Sequence, residues 1–252
     1  MTNATSARRV RCSACAALAT VALGLGAPIA LAAESATMSS EQALSRKQEG
    51  IVPIAAAMAL GDMSQLDEAL NRGLDAGLTV SEVREILVQL YAYVGFPRSL
   101  NALGELMKVL DARKQRGTRD PVGREATAIP AGSDVLALGT ANQTKLLGGP
   151  VKGLLFEFAP AIDDFLKRHL FGDIFARDNL DWKSRELATV GALAAMSGVE
   201  SQLQSHVGIS MNAGMTPAQL RDVAQVLAQA GQGDAAGRTR AALEQHLARS
   251  TR

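Results

Sequence analysis

The chain has 252 residues, with 26 Lys and Arg against 25 Asp and Glu, a net charge of +1. Hydrophobic residues make up 47% and aromatics only 4%. That balance excludes a disordered chain, which needs low hydrophobicity and high net charge, and a collagen-like composition. It also gives no basic excess of the kind a nucleic-acid partner requires. Few aromatics beside abundant Ala, Leu, Gln and Glu favour helices over strands.

The first 32 residues have the order of a secretory signal peptide. Arg8, Arg9 and Arg11 precede an uncharged run from Ala14 to Leu31, which closes on small residues around Ala32. A membrane anchor is the competing reading of a run this long. Gly24, Gly26 and Pro28 dilute it, and no basic stop follows. Removal of residues 1–32 leaves 23 basic against 25 acidic side chains, a net charge of −2. Cys12 and Cys15 leave with it, so the mature chain is expected to be cysteine-free, with no thiol for redox chemistry or metal binding. The expected location is periplasmic or secreted, with no membrane association after cleavage.

Residues 39–116 read as a first helical block. A polar stretch over 39–49, with Ser39 or Ser40 as its cap, leads into an Ala-rich apolar run, Ile51–Leu60, stopped by Gly61. An amphipathic helix follows over Ser64–Ala76, with Leu66, Ala69, Leu70 and Leu74 on one side, ended by Gly77. Thr79 and Glu82 have capping-box spacing ahead of Val83, Ile86, Leu87, Leu90 and Tyr91. Gly95-Phe96-Pro97 breaks that helix, and Pro97 starts another that runs to about Arg116. Tyr91 and Tyr93 alternate around the helix, so at most one should face the core.

Residues 117–155 read as a linker. Six glycines and three prolines crowd 117–150, and the segment is expected to hold at most short helical turns. A second block covers 156–252. It opens with five of the six Phe and a helical pattern over Asp163–Ala176. Asp181 is placed to cap a helix that runs to Ser197. A helix over Gln202–Ala213 comes next, and Thr216-Pro217-Ala218-Gln219 forms a capping box with proline in its favoured place.

A shift of 137 residues overlays the second block on the first without a gap. Gly61, Ser64, Gln65, Leu66, Ala76, Gly77, Thr79 and Arg84 meet Gly198, Ser201, Gln202, Leu203, Ala213, Gly214, Thr216 and Arg221, and Glu49 meets Glu186. This is a duplication of one helical unit. The copies differ where chemistry is expected. Ala69 stands opposite His206, and the run Tyr91 to Asn101 stands opposite Ala228 to Arg238, which lacks its aromatics and proline.

Those stretches carry a resemblance. Leu74 to Thr79, Tyr91 to Leu103, Arg185-Glu186-Leu187 and Gln202 to His206 are similar to the carboxymuconolactone decarboxylase family, which includes alkylhydroperoxidase D. The resemblance spans roughly residues 41–115 and 163–247. It implies an all-α fold, a tandem repeat of alkylhydroperoxidase D-like helical units, assembled as homo-trimers or homo-hexamers with sites near subunit contacts. In the peroxidase branch, a Glu and a His at the positions of Glu186 and His206 flank a Cys-x-x-Cys pair. The matching segment here, near Gly198 to Gln202, holds no cysteine. Peroxide reduction needs a thiolate, so antioxidant activity of that type is rejected. The decarboxylase branch works without thiols.

His206 is therefore the expected acid–base residue, because imidazole both donates and accepts protons near neutrality. Glu186 is expected to tune it. Axial distance is an objection: Glu186 lies about 16 Å before the turn and His206 about 8 Å after it, which puts Thr189 or Leu193 closer in level. Arg98 is placed to grip a substrate carboxylate through a two-pronged contact, with Tyr93 and Asn101 lining the pocket. Arg98 as a solvated first-turn residue is an equal alternative. His169 with Asp173 four residues later reads as an ordinary helix pair. His246 is expected to be solvated. The three histidines are too widely spaced for a metal site, and no cofactor is expected. The expected function is decarboxylase-like His/Glu chemistry on a small carboxylate or lactone. The alternative is a non-catalytic binding or scaffold protein that kept the fold.

Overall fold

The computed structural model describes residues 43–250, so the signal peptide and the Ser39/Ser40 cap lie outside the described residues. All regular structure among them is helical. The first copy holds α1 (Arg46–Leu60), α2 (Met63–Asp75), α3 (Val80–Gln89), the single turn α4 (Tyr91–Val94) and α5 (Phe96–Gln115). Between the copies lie α6 (Val135–Leu147), α7 (Leu154–Phe158), α8 (Pro160–Phe165) and a π-helix over Leu166–Ile174. The second copy holds α9 (Trp182–Ala195), α10 (Glu200–Asn212), α11 (Pro217–Gln229) and α12 (Gly233–Ser250).

The duplication holds in backbone detail. Gly61 caps α1 at φ 74°, its counterpart Gly198 lies three residues past α9 at φ 82°, and Gly77 and Gly214 follow α2 and α10 at φ 99° and 94°. A side chain at such φ is strained, which is why glycine stands at both pairs. Thr79 with Glu82 and Thr216 with Gln219 form two complete capping boxes. At the start of α1 the cap is Ser45, boxed with Gln48. It sits immediately before the helix, so the polar stretch and the Ala-rich run are one helix.

The centre of the fold is the packing of α1 on α9, the same helix of each copy. Ala55, Ala56, Ala59, Ala188 and Ala192 are buried along it. A Cβ on Gly191 would stand 3.0 Å from the Val52 carbonyl. The alanines and this glycine are what allow the two backbones to approach so closely, and the Leu and Ile of the outer helices fill the remaining core. No helix among the described residues is long and apolar enough to cross a membrane.

The linker expectation is corrected. It contains α6, a 13-residue helix capped by Asp134 and stopped by Gly148 at φ 77°. Its buried face holds Gly139, Gln143 and Leu146 while other leucines point elsewhere, which gave the sequence too weak an apolar stripe to reveal it. Glycines are needed at the crossing because α6 meets the π-helix at contact distance. A Cβ on Gly172 would stand 2.7 Å from Val135 Cγ1, and one on Gly139 would collide with the Lys167 carbonyl. The Asp163–Ala176 pattern is likewise not one α-helix. It becomes a six-residue α-turn and then a nine-residue π-helix, whose Phe175 N–H reaches back to the Leu170 carbonyl. Gly139→Ala should therefore cost about 1–3 kcal/mol by overpacking. Hydrogen exchange should show the loss confined to α6 and the π-helix, with α1 and α9 unchanged.

Candidate active site

Asp181 caps α9 by accepting from the Ser184 N–H, and Glu186 follows in the first turns. α9 is buried all round, so the Glu186 carboxylate has no exposed surface. His206 lies mid-way along α10, with 11% of its side chain exposed. Its Nδ1 lies 2.8 Å from Glu186 Oε2. The axial objection is thus removed within one chain. α9 stops at Ala195, earlier than the sequence suggested, and α10 begins at Glu200. Nine residues on one helix then face six on the other, an offset of only about 4.5 Å, which the two side chains span. The first copy shows what the fold does without this pair. Ala69 fills the histidine position at 2% exposure, and Glu49 faces outward into a cleft of about 360 Å³.

Behind the dyad lies a buried polar network that the sequence reading did not resolve. Arg185 has no exposed surface, yet it donates to Glu85 Oε1 at 2.9 Å, Gln89 Oε1 at 2.9 Å and the Arg177 carbonyl at 2.6 Å. Glu85 also accepts from Arg177 Nε and Asn179 Nδ2. Gln89 donates to Thr189 Oγ1 and to the Arg185 carbonyl. Glu85 and Gln89 come from α3, whereas Arg177, Asn179, Arg185 and Thr189 come from the second block, so the network joins the copies. The only sequence signal was the 85/89 pair, four apart on a helix that otherwise reads as core; Glu85 has Asp222 and Gln89 has Val226 as its counterpart.

Burial pushes the Glu85 carboxyl up, but the Arg177 hydrogen bond and the Arg185 charge outweigh it and hold it below the ordinary value of 4.5. Burial pulls the Arg185 guanidinium down. A carboxyl held low in the folded state contributes stability fully above its unfolded pKa, and loses it as pH falls through the folded value. Thermal unfolding should therefore stay level from neutrality to about pH 5 and drop below about pH 4.5. Glu85→Gln should flatten that drop.

Tyr93 reaches the dyad from the first copy. Its ring lies edge-on to His206, with centroids 5.5 Å apart at 78°. Its hydroxyl is buried without a partner, as is Glu186 Oε1. Burial, and then the Glu186 charge, push the Tyr93 phenol well above its usual range. Arg98 and Asn101 are not drawn into this cluster. Both are exposed on the first turns of α5 and make no hydrogen bond or ion pair among the described residues; Arg98 lies over Gly61. The expectation that only one tyrosine faces the core is also corrected. α4 is a separate turn lodged between two apolar clusters, so Tyr91 packs on Phe96 and His169 while Tyr93 faces His206. His169 pairs with Asp173 at 2.8 Å, as its spacing implied. His246 is half-buried rather than solvated, because Gly208 leaves room for its ring against α10.

The inter-copy segment covers one side of the site. Leu146, Leu170, Phe171, Ile174, Phe175 and Ile209 form a second core, with Tyr91 and Tyr93 at its edge. A cavity of about 680 Å³ lies beyond it, beside Trp182, Asn142 and Ile129, and another of about 270 Å³ borders Ser205, Gly208 and His246. Neither is lined by His206 or Glu186. No group of three or more His, Cys, Asp or Glu able to hold a metal occurs among the described residues.

The duplicated unit matches a known family. The carboxymuconolactone decarboxylase family model matches residues 27–107 and 160–245, about two thirds of the chain. The chain belongs to the carboxymuconolactone decarboxylase family. The two matched segments are the two copies, as a tandem member requires. No curated protein matches the chain. The start of α10 holds Glu200, Ser201 and Gln202, and Cys12 and Cys15 lie outside the described residues.

Proposed function

We propose that the chain is a decarboxylase-like enzyme that uses His206 and Glu186 for acid–base chemistry on a small carboxylate or lactone. One observation carries this reading: a buried His–Glu pair at 2.8 Å where the other copy has Ala69. Burying an ionisable pair is costly and replaceable by apolar packing. In the first copy Ala69 is buried at the histidine position and Glu49 is exposed, so the same helical unit packs without a buried pair. Nδ1 is committed to Glu186, which leaves Nε2 as the nitrogen able to pass a proton to a carbanion or take one from water. Carboxylate binding by Arg98 with Asn101 belongs to this proposal and rests on their shared helical face.

Export to the periplasm or medium is part of the same reading, supported by the Arg8 to Ala33 pattern. So is assembly as a homo-oligomer, for which α5 offers Phe96, Leu100 and Met107 at 63–68% exposure along one stripe. The enclosure of the dyad, which lines neither neighbouring cavity, favours the second reading of a binding or scaffold protein. A panel of small lactones and carboxylates, followed by CO2 release and ring opening, separates the two. Turnover that depends on His206 supports the enzyme. Binding without turnover on the whole panel supports the scaffold.

A further inference from the structure

Two buried oxygens at the site have no hydrogen-bond partner. Glu186 is fully buried, with Oε2 held by His206 and Oε1 held by nothing. The Tyr93 hydroxyl is the other. Such atoms cost about 1–3 kcal/mol each when left unmet, so two at one site mark a missing group. Both residues belong to one cluster: the Tyr93 ring abuts His206, His206 is bonded to Glu186, and the Glu186 charge is felt at the Tyr93 phenol. The Thr189 hydroxyl is close enough to act on the Tyr93 phenol, but not at hydrogen-bonding geometry. Its proton goes to the Arg185 carbonyl, it accepts from Gln89, and it makes no bond of acceptable geometry with Tyr93.

Donor and acceptor chemistry narrows the missing group. Glu186 Oε1 can only accept, and the protonated Tyr93 phenol is there to donate. A group satisfying both must give one proton and take another through one small atom. A carboxylate cannot give, an ammonium cannot take, and a ketone cannot give. A hydroxyl does both. We propose that Glu186 and Tyr93 bracket a hydroxyl oxygen, water in the free protein and a hydroxyl or enol of the substrate in the complex. This rests on the acid–base reading and narrows it to a hydroxylated or enolic carboxylate or lactone, whose hydroxyl, not its carboxylate, lies against the dyad. Tyr93 then makes the substrate contact from the first copy, so the single site needs both copies.

The test needs no turnover. A crystal structure of the full chain should show an oxygen within hydrogen-bond distance of both Glu186 Oε1 and Tyr93 Oη. Calorimetric titration should compare 2-, 3- and 4-hydroxybenzoate with benzoate, and 2- and 3-hydroxybutyrate with butyrate. At least one hydroxylated probe should bind about 10-fold or more tighter than its parent, as two added hydrogen bonds allow. Tyr93→Phe, which only deletes an unpartnered hydroxyl and should fold, should reduce that preference to less than about 3-fold. Equal binding of every pair, or a preference unchanged in Tyr93→Phe, overturns the proposal, even if the ordered oxygen is present. Turnover independent of His206 would sink the acid–base reading and leave the hydroxyl preference standing, so the two fail separately.

Discussion

His206→Gln should lower turnover by about 10²–10⁴-fold, the range that a positioned acid–base group contributes. The glutamine amide can still donate to Glu186 Oε2, so the buried carboxylate keeps its partner and the protein should stay folded to within about 1 kcal/mol. His206→Ala should lose activity equally but unfold more easily, because it leaves both oxygens of a fully buried carboxylate unmet. The pair of variants separates chemistry from packing: activity falls alike in both, stability only in the second. A glutamine variant with near-native turnover would remove His206 from the reaction and favour the binding reading. The reverse replacement, Ala69→His, is a useful control. It restores a histidine opposite Glu49 but supplies neither the tyrosine, which is Ala230 there, nor the burial, and should gain no activity.

Local chemistry made much of this fold legible in the sequence. The Thr capping boxes and the Gly61, Gly77 and Gly214 stops are short-range devices, and each stands where the residues placed it; Gly198 is the exception, three residues past the end of its helix at Ala195. What depended on packing between distant elements was not legible. α6 hides because its packed face is Gly139, Gln143 and Leu146, a glycine for the close crossing and a glutamine in the middle, which leaves no wide apolar stripe to detect. The π-helix hides because nine residues of an i→i+5 ladder are too few for its period to be told from an α-helix's. The Glu186–His206 contact was named by resemblance and disputed by counting along ideal helices, and the difference came from where α9 and α10 end. Glu85 and Gln89 were missed because a polar pair in a core stripe declares itself only when its partner is known. That partner, Arg185, was noticed only as a neighbour of Glu186.

Arg185 is where the largest loss of stability is expected. Arg185→Met should destabilise the protein by about 3–5 kcal/mol, since it breaks a buried pair and leaves Glu85 and Gln89 short of donors. At about 2–4 °C per kcal/mol for a chain of this size, the midpoint should fall by roughly 6–20 °C. Arg185→Lys should recover little. Three partners in different directions, Glu85, Gln89 and the Arg177 carbonyl, fit a planar fork and not a single ammonium. Removing Glu85 as well, in Arg185→Met with Glu85→Leu, should return about half of the loss, because the stranded charge goes with it. Because the network takes α3 from one copy and α9 from the other, the native chain should melt in one transition, and Arg185→Met should begin to split it in two. Hydrogen exchange would place the earlier transition in one copy. A single unshifted transition would mean that α1 on α9 holds the copies together unaided and that this arginine serves only to orient the helix that carries Glu186.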